Sequence, residues 1–539
     1  MRKVLTYSIL LPLLALLSSC VANNLQAEYE QYLKEKAVSE GSAKEEWEPT
    51  ECTIDDVKFT SFKVLASLNE DVLYDLSFTS DTTVNANVAI VDHYFLPTRH
   101  LIASWQCVAA RVTVDEVDQQ TGVTVNDFTS TVRYRLYASD GQYKQYAFRL
   151  EQKSNYTGMP CFSIITGNNN FSKQWWSKGT LKISGQQSGY DDVSHTMSVK
   201  LRGNAAAAAQ KKSFTVRLDE GAMMLGLPKH KRWCLVANAN DRTQLRNRVA
   251  YEIASRTALS WTPASRYCEV FINGYYYGLY LMTEQIRVDK NRVNITEMQP
   301  GDTTDLALTG GYLLECDRYV DSVSFKTAVR ELPINVKSPD AELITPAHME
   351  YLENYFRKIE QLLYYKDDPD PEYRDYIDIA SFADAWIVLE LTHCRDAKIP
   401  GSVWYYKDRG GKLFAGPVWD FDLATFIKST EFLLYDYETT DFSSTTTRSL
   451  WYSRLFRDEV FRAEVKRRWE LYYPVFATIP AYIDEQAALI SASAEANFAV
   501  WRNIKGNNDD DLSWSEAVEL MKENYTYRLE FLNSTISAW

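Results

Sequence analysis

Three aspartates in the second half of the chain carry the clearest chemical pattern. Asp396 follows a stretch from Ile379 to Thr392 that Asp378 is placed to cap as a helix. A strand at Val403–Lys407, a turn at Arg409-Gly410-Gly411 and a strand at Lys412–Ala415 then lead to Trp419-Asp420-Phe421-Asp422. Mg²⁺ takes hard oxygen ligands and keeps several waters, so one or two carboxylates plus phosphate oxygens are enough to hold it. A separate aspartate can accept the proton of an attacking hydroxyl. Asp420 and Asp422 are two residues apart, so extended backbone puts both on one face. Spacing alone fits an Asp-rich turn that caps the next element equally well.

A second set of candidates is basic. Val199 to Asn204 and Gln210 to Leu218 read as two alternating strands flanking a loop of Gly203, Asn204 and five alanines. With Arg202, Lys211 and Lys212, such a loop can hold an anion such as a phosphate. The plainer reading is a solvated basic hairpin. Tyr267 to Ile272 and Tyr275 to Met282 flank Asn273-Gly274, a strong hairpin signal. Glu284 stands just past the second strand, where it can pair with a lysine, bind a metal or simply end a strand. Leu245, Val249 and Ile253 recur every four residues and predict a helix over about 243–258, capped by Asp241 or Thr243. Arg246 and Arg248 on that helix read as structural cations.

These segments need a scaffold, and length and composition bound it. With 539 residues, 45% hydrophobic and 24% charged, the chain is globular rather than disordered and long enough for several domains. Its net charge of −14 lacks the general footprint of a nucleic-acid binder. A basic start (Arg2, Lys3), an apolar run from Val4 to Leu17 and Ser18-Ser19-Cys20 describe an export signal. The apolar run is too short for a spanning helix. Seven further cysteines are widely spaced without a CxxC pair, which argues against a zinc site and favours buried thiols. Residues 20–51 read as a tether. Short alternating strands from Cys52 onward, including Thr131–Tyr137 and Tyr143–Leu150 around Asp140-Gly141, predict a β-sandwich over 52–151. Residues 158–430 mix strands and helices, and 431–539 read as helical. Ser513 and Glu516 form a capping box there.

Taken in order, several of these pieces resemble the CotH kinase family, named for spore coat protein H. They are Leu201-Arg202-Gly203-Asn204 with Lys211-Lys212-Ser213, Lys231-Arg232-Trp233 through Asn238, and Asp241-Arg242 with Leu245-Arg246-Asn247. Phe271 through Tyr280 with Thr283-Glu284, Gly310 through Glu315, Val336-Lys337-Ser338-Pro339, Asp396 and Trp419 through Asp422 complete the series. The resemblance implies a multidomain chain whose central α+β domain is an atypical, kinase-like fold. It implies ATP and a divalent cation, Mg²⁺ with Mn²⁺ as the alternative, and transfer to Ser or Thr of a protein acceptor. Asp396 then stands in the catalytic-loop place. Asp420 takes the metal-binding place of the kinase Asp-Phe-Gly, with Asp422 as a second ligand. Lys212 or Lys211 would contact phosphates, with Glu284 as ion-pair partner or metal-side carboxylate, so Arg202, Lys211, Lys212 and Glu284 form the expected nucleotide-binding set.

The ending Leu17-Ser18-Ser19-Cys20 resembles a bacterial lipobox, which implies cleavage after residue 19 and lipidation of Cys20. The β-sandwich resembles immunoglobulin-like domains near the N-termini of Bacteroidetes surface lipoproteins. The expectation is an outer-membrane lipoprotein anchored through Cys20. Two functions stand against each other: a protein kinase, and an inactive kinase-like scaffold that binds polysaccharide or a partner protein. A metal-dependent hydrolase is the weaker third, because no His/Asp two-metal cluster accompanies the carboxylates.

Overall fold

The computed structural model describes residues 47–539 except 70–71, 73–74, 92–99, 153–156, 186–187, 274, 303, 399, 435–449, 503, 506, 508 and 510. The expected signal peptide at 1–19, the lipidated Cys20 and most of the tether lie outside the described residues. The chain divides into two compact units at residues 154 and 155.

The first unit is β-rich. Its strands are β1 (Lys58–Val64), β2 (Leu76–Ser77), β3 (Asn87–Val91), β4 (Leu101–Val108), β5 (Arg111–Val114), β6 (Val117–Asp118), β7 (Val125–Asn126), β8 (Val132–Tyr137) and β9 (Tyr143–Gln152). They form one sheet in the order β2-β1-β4-β7 and another in the order β3-β9-β8-β5-β6. In β8 the buried residues Val132, Tyr134 and Leu136 alternate with more exposed ones, which lets one strand face both core and water. The shared core is aromatic, with Phe62 stacked on Phe148 at 3.6 Å between centroids. The predicted hairpin forms with Tyr137 opposite Tyr143, and Gly141 takes the left-handed conformation its turn requires. The tether, expected to run to residue 51, ends sooner. Trp47 donates its indole N–H to the Cys107 carbonyl at 3.0 Å and packs on Trp105, because a large aromatic surface gains by leaving water.

The second unit begins with a closed seven-stranded barrel that the strand patterns did not reveal. Its strands are β10 (Cys161–Thr166), β11 (Ser177–Ser184), β12 (Val193–Leu201), β13 (Phe214–Met224), β14 (Leu227–Val236), β15 (Ser265–Ile272) and β16 (Tyr275–Glu284). Around the barrel they run β10-β11-β12-β13-β14-β16-β15, and a parallel pairing of β10 with β15 closes it. Alternate residues such as Val199, Val216, Trp233 and Tyr280 fill its interior. The Asn273 end of the β15–β16 hairpin has a positive φ of 49°, as its Asn-Gly sequence predicts.

The outer wall of β14 and β16 packs against helices and a second sheet. Helix α1 (Arg246–Ser255) follows β14, and it begins three residues later than its periodicity suggested. Asp241 still holds its start, because the carboxylate accepts the N–H groups of Thr243 and Arg246, each at 2.9 Å. The sheet comprises β17 (Tyr312–Cys316), β18 (Ser324–Lys326), β19 (Pro333–Ser338), β20 (Val403–Lys407) and β21 (Leu413–Ala415), ordered β18-β19-β17-β20-β21. Helices α2 (Pro346–Tyr364) and α3 (Ile379–Leu391) lie between β19 and β20 in the chain. Asp378 caps α3 through the Ser381 N–H at 2.7 Å, as expected.

Helices α4 (Glu459–Phe476), α5 (Ile479–Val500) and α6 (Trp514–Ser537) complete the unit, and Ser513 and Glu516 cap α6 reciprocally. The expected boundary at 430/431 does not separate two bodies. One continuous hydrophobic core runs from Met159 to Ile536. Buried ion pairs cross the boundary as well. Arg246 binds both Asp241 at 2.5 Å and Asp509 at 2.9 Å, and Arg528 binds Glu390 at 2.6 Å. A charge buried this way is costly to leave unpaired, so the helices cannot detach without loss. All seven described cysteines are free thiols. Among the described residues no helix is long and apolar enough to cross a membrane.

Candidate functional site

A cavity of about 350 Å³ opens where the end of β12, the tip of β17, the turn after α3 and the segment after β21 meet. Asp396, Asp420 and Asp422 all line it, together with Arg202. The chain reaches this point from four directions, so residues nearly 200 apart in sequence share one wall.

Asp396 sits on a single 3₁₀ turn, Arg395–Lys398, just past α3. Its Oδ1 is 3.4 Å from the Arg318 guanidinium. Burial raises its pKa, Arg318 draws it back, and nearby Asp317 pushes it up again. Gly401 runs close beside it: a Cβ there would lie 2.5 Å from Asp396 Oδ2. A larger residue at 401 would therefore displace the carboxylate.

Asp420 follows β21 and adopts a left-handed φ of 70°, which is uncommon for a residue other than glycine. Its side chain opens to the water of the cavity, yet protein surrounds it closely enough for desolvation to raise its pKa. Arg202 opposes that rise, while Asp396 and Asp317 add to it. Ser402 donates its hydroxyl to Asp420 Oδ2 at 3.4 Å. Asp422 is buried, and burial, then Asp420 and Asp241, push its carboxyl up to about 8. Asn247 of α1 accepts the Phe421 N–H at 2.8 Å, and Asn507 donates to the Asp422 carbonyl at 2.8 Å. Helix α1 and the segment before α6 thus hold the Asp-Phe-Asp backbone from two sides.

The donor set suits a hard divalent cation. Two carboxylates repel each other at the cavity wall, so a cation that bridges or approaches them relieves the repulsion. Among the described residues no group of three or more His, Cys, Asp or Glu is arranged around a common point as metal ligands. A cation here would take one or both of Asp420 and Asp422 and draw its other oxygens from ligand and water.

The expected nucleotide-binding set is only partly brought together. Arg202 lines the cavity, its guanidinium 4.8 Å from the Trp419 ring centroid. Lys211 is instead buried behind the wall. Its ammonium donates to the Leu279 carbonyl and to Gln244 Oε1 at 3.3 Å, and stands over the Tyr280 ring. Lys212 donates to the Ala207 carbonyl at 2.9 Å within its own loop. Neither lysine lines the cavity. Glu284 ends β16, is buried, and accepts the Ala264 N–H at 3.0 Å. Its cation is Arg292 at 3.8 Å, not a lysine. Arg202 and both lysines lie in the loop between β12 and β13, so no strand face orders them, and the carbonyls of Leu279 and Ala207 draw Lys211 and Lys212 away from Arg202.

A different lysine–glutamate pair occupies the cavity. Lys337 at the end of β19 binds Glu315 of β17 at 3.2 Å and Asp321 at 2.7 Å. Burial works against the Lys337 charge, but Glu315 and Asp321 outweigh it and hold its pKa above the ordinary lysine value. Burial raises Glu315 to about 7 against the pull of Lys337. Asp317 also lines the cavity, accepting the Tyr319 N–H at 2.7 Å and the Ser402 N–H at 3.0 Å. Glu315 and Lys337 lie in segments that carried the resemblance, but only the pairing of β17 with β19 brings them together.

A family model described as CotH kinase protein matches residues 199–532, more than half of the chain. No curated protein matches the sequence. The chain belongs to the CotH kinase family.

Proposed function

We propose that this member of the CotH kinase family transfers a phosphoryl group from ATP to a serine or threonine hydroxyl of a protein acceptor. One observation carries the reading: Asp396, Asp420 and Asp422 converge with the cations Arg202 and Lys337 on a single cavity. In this reading Asp420 and Asp422 hold Mg²⁺ or Mn²⁺, which supplies charge neutralisation at the phosphates. Asp396 accepts the proton as the acceptor oxygen bonds to phosphorus and the bond to the leaving nucleoside diphosphate breaks. The raised pKa of Asp396 suits a base, since a carboxylate less stabilised as the anion takes up a proton more readily. Arg202 and Lys337 face the charge that builds on the transferring group, where positioning and electrostatics do most of the work.

The same proposal covers the rest of the chain. Cys20 carries the lipid anchor of an outer-membrane lipoprotein, and the first unit is an Ig-like spacer or binding module. The support is the Met1–Cys20 pattern and the two-sheet architecture of residues 52–151.

The test is isothermal titration of residues 21–539 with ATP, with and without Mg²⁺ or Mn²⁺, followed by turnover on candidate acceptors. Metal-dependent binding lost in Asp420→Ala, and turnover lost in Asp396→Asn with binding kept, are the expected results. Absence of binding under either metal would overturn the enzyme reading in favour of an inactive scaffold, for which polysaccharide is the next ligand to try.

A further inference from the structure

Beside the cavity, the outside of the barrel gathers three cations around one indole. In β12, β13 and β14 the residues Val199, Val216 and Trp233 turn into the barrel, so Lys200, Arg217 and Arg232 turn out. The Lys200 ammonium lies 4.9 Å from the Trp176 ring centroid, and the guanidinium carbons of Arg217 and Arg232 lie 4.5 and 5.0 Å from it. All three side chains are partly buried.

This grouping opposes ordinary sheet energetics. Arg217 and Arg232 are register partners on adjacent strands, and like charges directly opposite destabilise a sheet. Burial, then Arg232, Arg217 and Lys173, depress the Lys200 pKa. Burial, then Arg287 and Arg217, bring Arg232 down to about 10, with Asp340 as the opposing acid. Asp340 is itself engaged by Arg287 at 3.5 Å. The indole face offsets part of the repulsion through cation–π attraction, but it brings no negative charge. A chain of net charge −14 has acids to spare, and none is bonded to these three cations among the described residues. Such a surface gains most from an anion with several oxygens, because guanidinium groups match phosphate geometry.

The face is continuous with the cavity. Arg202 lines the cavity just past the end of β12, two residues beyond Lys200, and Lys173 lines the cavity while acting on Lys200. We propose that Lys200, Arg217 and Arg232, grouped around Trp176, form a second anion site that binds phosphate groups without a divalent cation. The site deepens the phosphoryl-transfer reading: the ligand it admits carries phosphate beyond the group being transferred. That phosphate belongs either to a free polyphosphate or to an acceptor segment already phosphorylated on serine.

The experiment is titration of residues 21–539 in EDTA with tripolyphosphate and, separately, with a phosphoserine peptide and its unphosphorylated twin. At least one phosphate ligand should bind, and rising salt should weaken it. Which of the two binds identifies the source. Arg217→Gln with Arg232→Gln should weaken binding at least tenfold, Arg217→Lys with Arg232→Lys should restore part of it, and Lys337→Met should leave it unchanged. Lys200→Gln removes one partly exposed charge, so it serves as the milder variant if the double change disturbs folding. No metal-free binding by either ligand, or binding insensitive to Lys200→Gln and to the double change, overturns the site. Loss of binding in Lys337→Met also overturns it, by assigning the phosphate to the cations of the aspartate cavity. Loss of metal-dependent ATP binding alone would instead count against the proposed function and leave this site standing.

Discussion

Asn247 accepts the backbone N–H of Phe421 at 2.8 Å, so one buried amide on α1 fixes the middle residue between Asp420 and Asp422. The same side chain donates to Asn238 Oδ1 at 2.9 Å, which ties it to the strand end before α1. Helix α1 thereby becomes the reference against which both aspartates are aimed. The residue just before this bond, Asp420, has left-handed backbone. Unusual backbone of this kind persists where the surroundings over-determine it.

Asn247→Ala should therefore act on the site more than its position behind the wall suggests. It leaves the Phe421 N–H buried without a partner, at a cost of about 1–3 kcal/mol. Metal-dependent ATP binding should weaken by about tenfold, while binding of tripolyphosphate in EDTA stays as in the parent. Titration of both ligands checks this, and unchanged ATP binding would remove Asn247 from the positioning role.

Gly401→Ala tests the placement of Asp396. The added Cβ would sit 2.5 Å from Asp396 Oδ2 and 2.9 Å from its carboxyl carbon. The carboxylate has to move, and a shift of about 1 Å in a reacting group can cost about 10²-fold in rate. Turnover should fall towards that of Asp396→Asn while the ATP dissociation constant changes little. Steady-state kinetics beside calorimetry separates the two. Full turnover in Gly401→Ala would mean that Asp396 is not the base.

Lys337→Met removes the ammonium shared by Glu315 and Asp321. Two carboxylates are then left beside one another in the cavity wall, so metal-dependent ATP binding should weaken by more than tenfold while tripolyphosphate binding in EDTA stays as in the parent. Thermal stability should fall too, because breaking a largely buried pair strands a charge. Adding Glu315→Gln should recover the stability and not the binding. Recovery of both would show that Lys337 is a purely structural cation.

Glu269 offers a prediction about pH. It is fully buried on β15, and its Oε2 has no hydrogen-bond partner. Burial raises its pKa from 4.5 to about 7, against the pull of Ser493, Thr157 and Tyr276. The folded state therefore holds a proton that the unfolded state releases at lower pH. Its favourable contribution is complete below about pH 4.5 and is lost as pH rises to about 7. At 1.36 kcal/mol per unit, the difference is about 3 kcal/mol. Glu269→Gln should be more stable than the parent at pH 8 and nearly equal at pH 4.5. Denaturant unfolding at the two pH values checks it, and a Gln variant less stable at pH 8 would contradict it.

Local patterns in the sequence were enough for much of the scaffold. The Asp140-Gly141 hairpin, the Asp378 cap on α3, the Ser513 and Glu516 box on α6 and the hairpin between Asp396 and Asp420 depend on turn chemistry and capping, which act over a few residues. Asp396, Asp420 and Asp422 were legible as candidates for the same reason, since one helix precedes Asp396 and one hairpin separates it from Asp420. The closed barrel was not legible, because the parallel pairing of β10 with β15 joins segments about a hundred residues apart. Nor was the choice of lysine. Strand alternation settles which face a residue takes, but only the sheet order settles what lies across from it. Lys211 was drawn into the protein by the Leu279 carbonyl, and Lys337 met Glu315 through the β17–β19 register. The late helices likewise look independent in sequence, yet the buried contacts of Arg246 with Asp509 and of Arg528 with Glu390 make them part of the body that carries the site. Short-range hydrogen bonding wrote the elements, whereas burial of charge and apolar surface over long separations decided which side chains share the cavity.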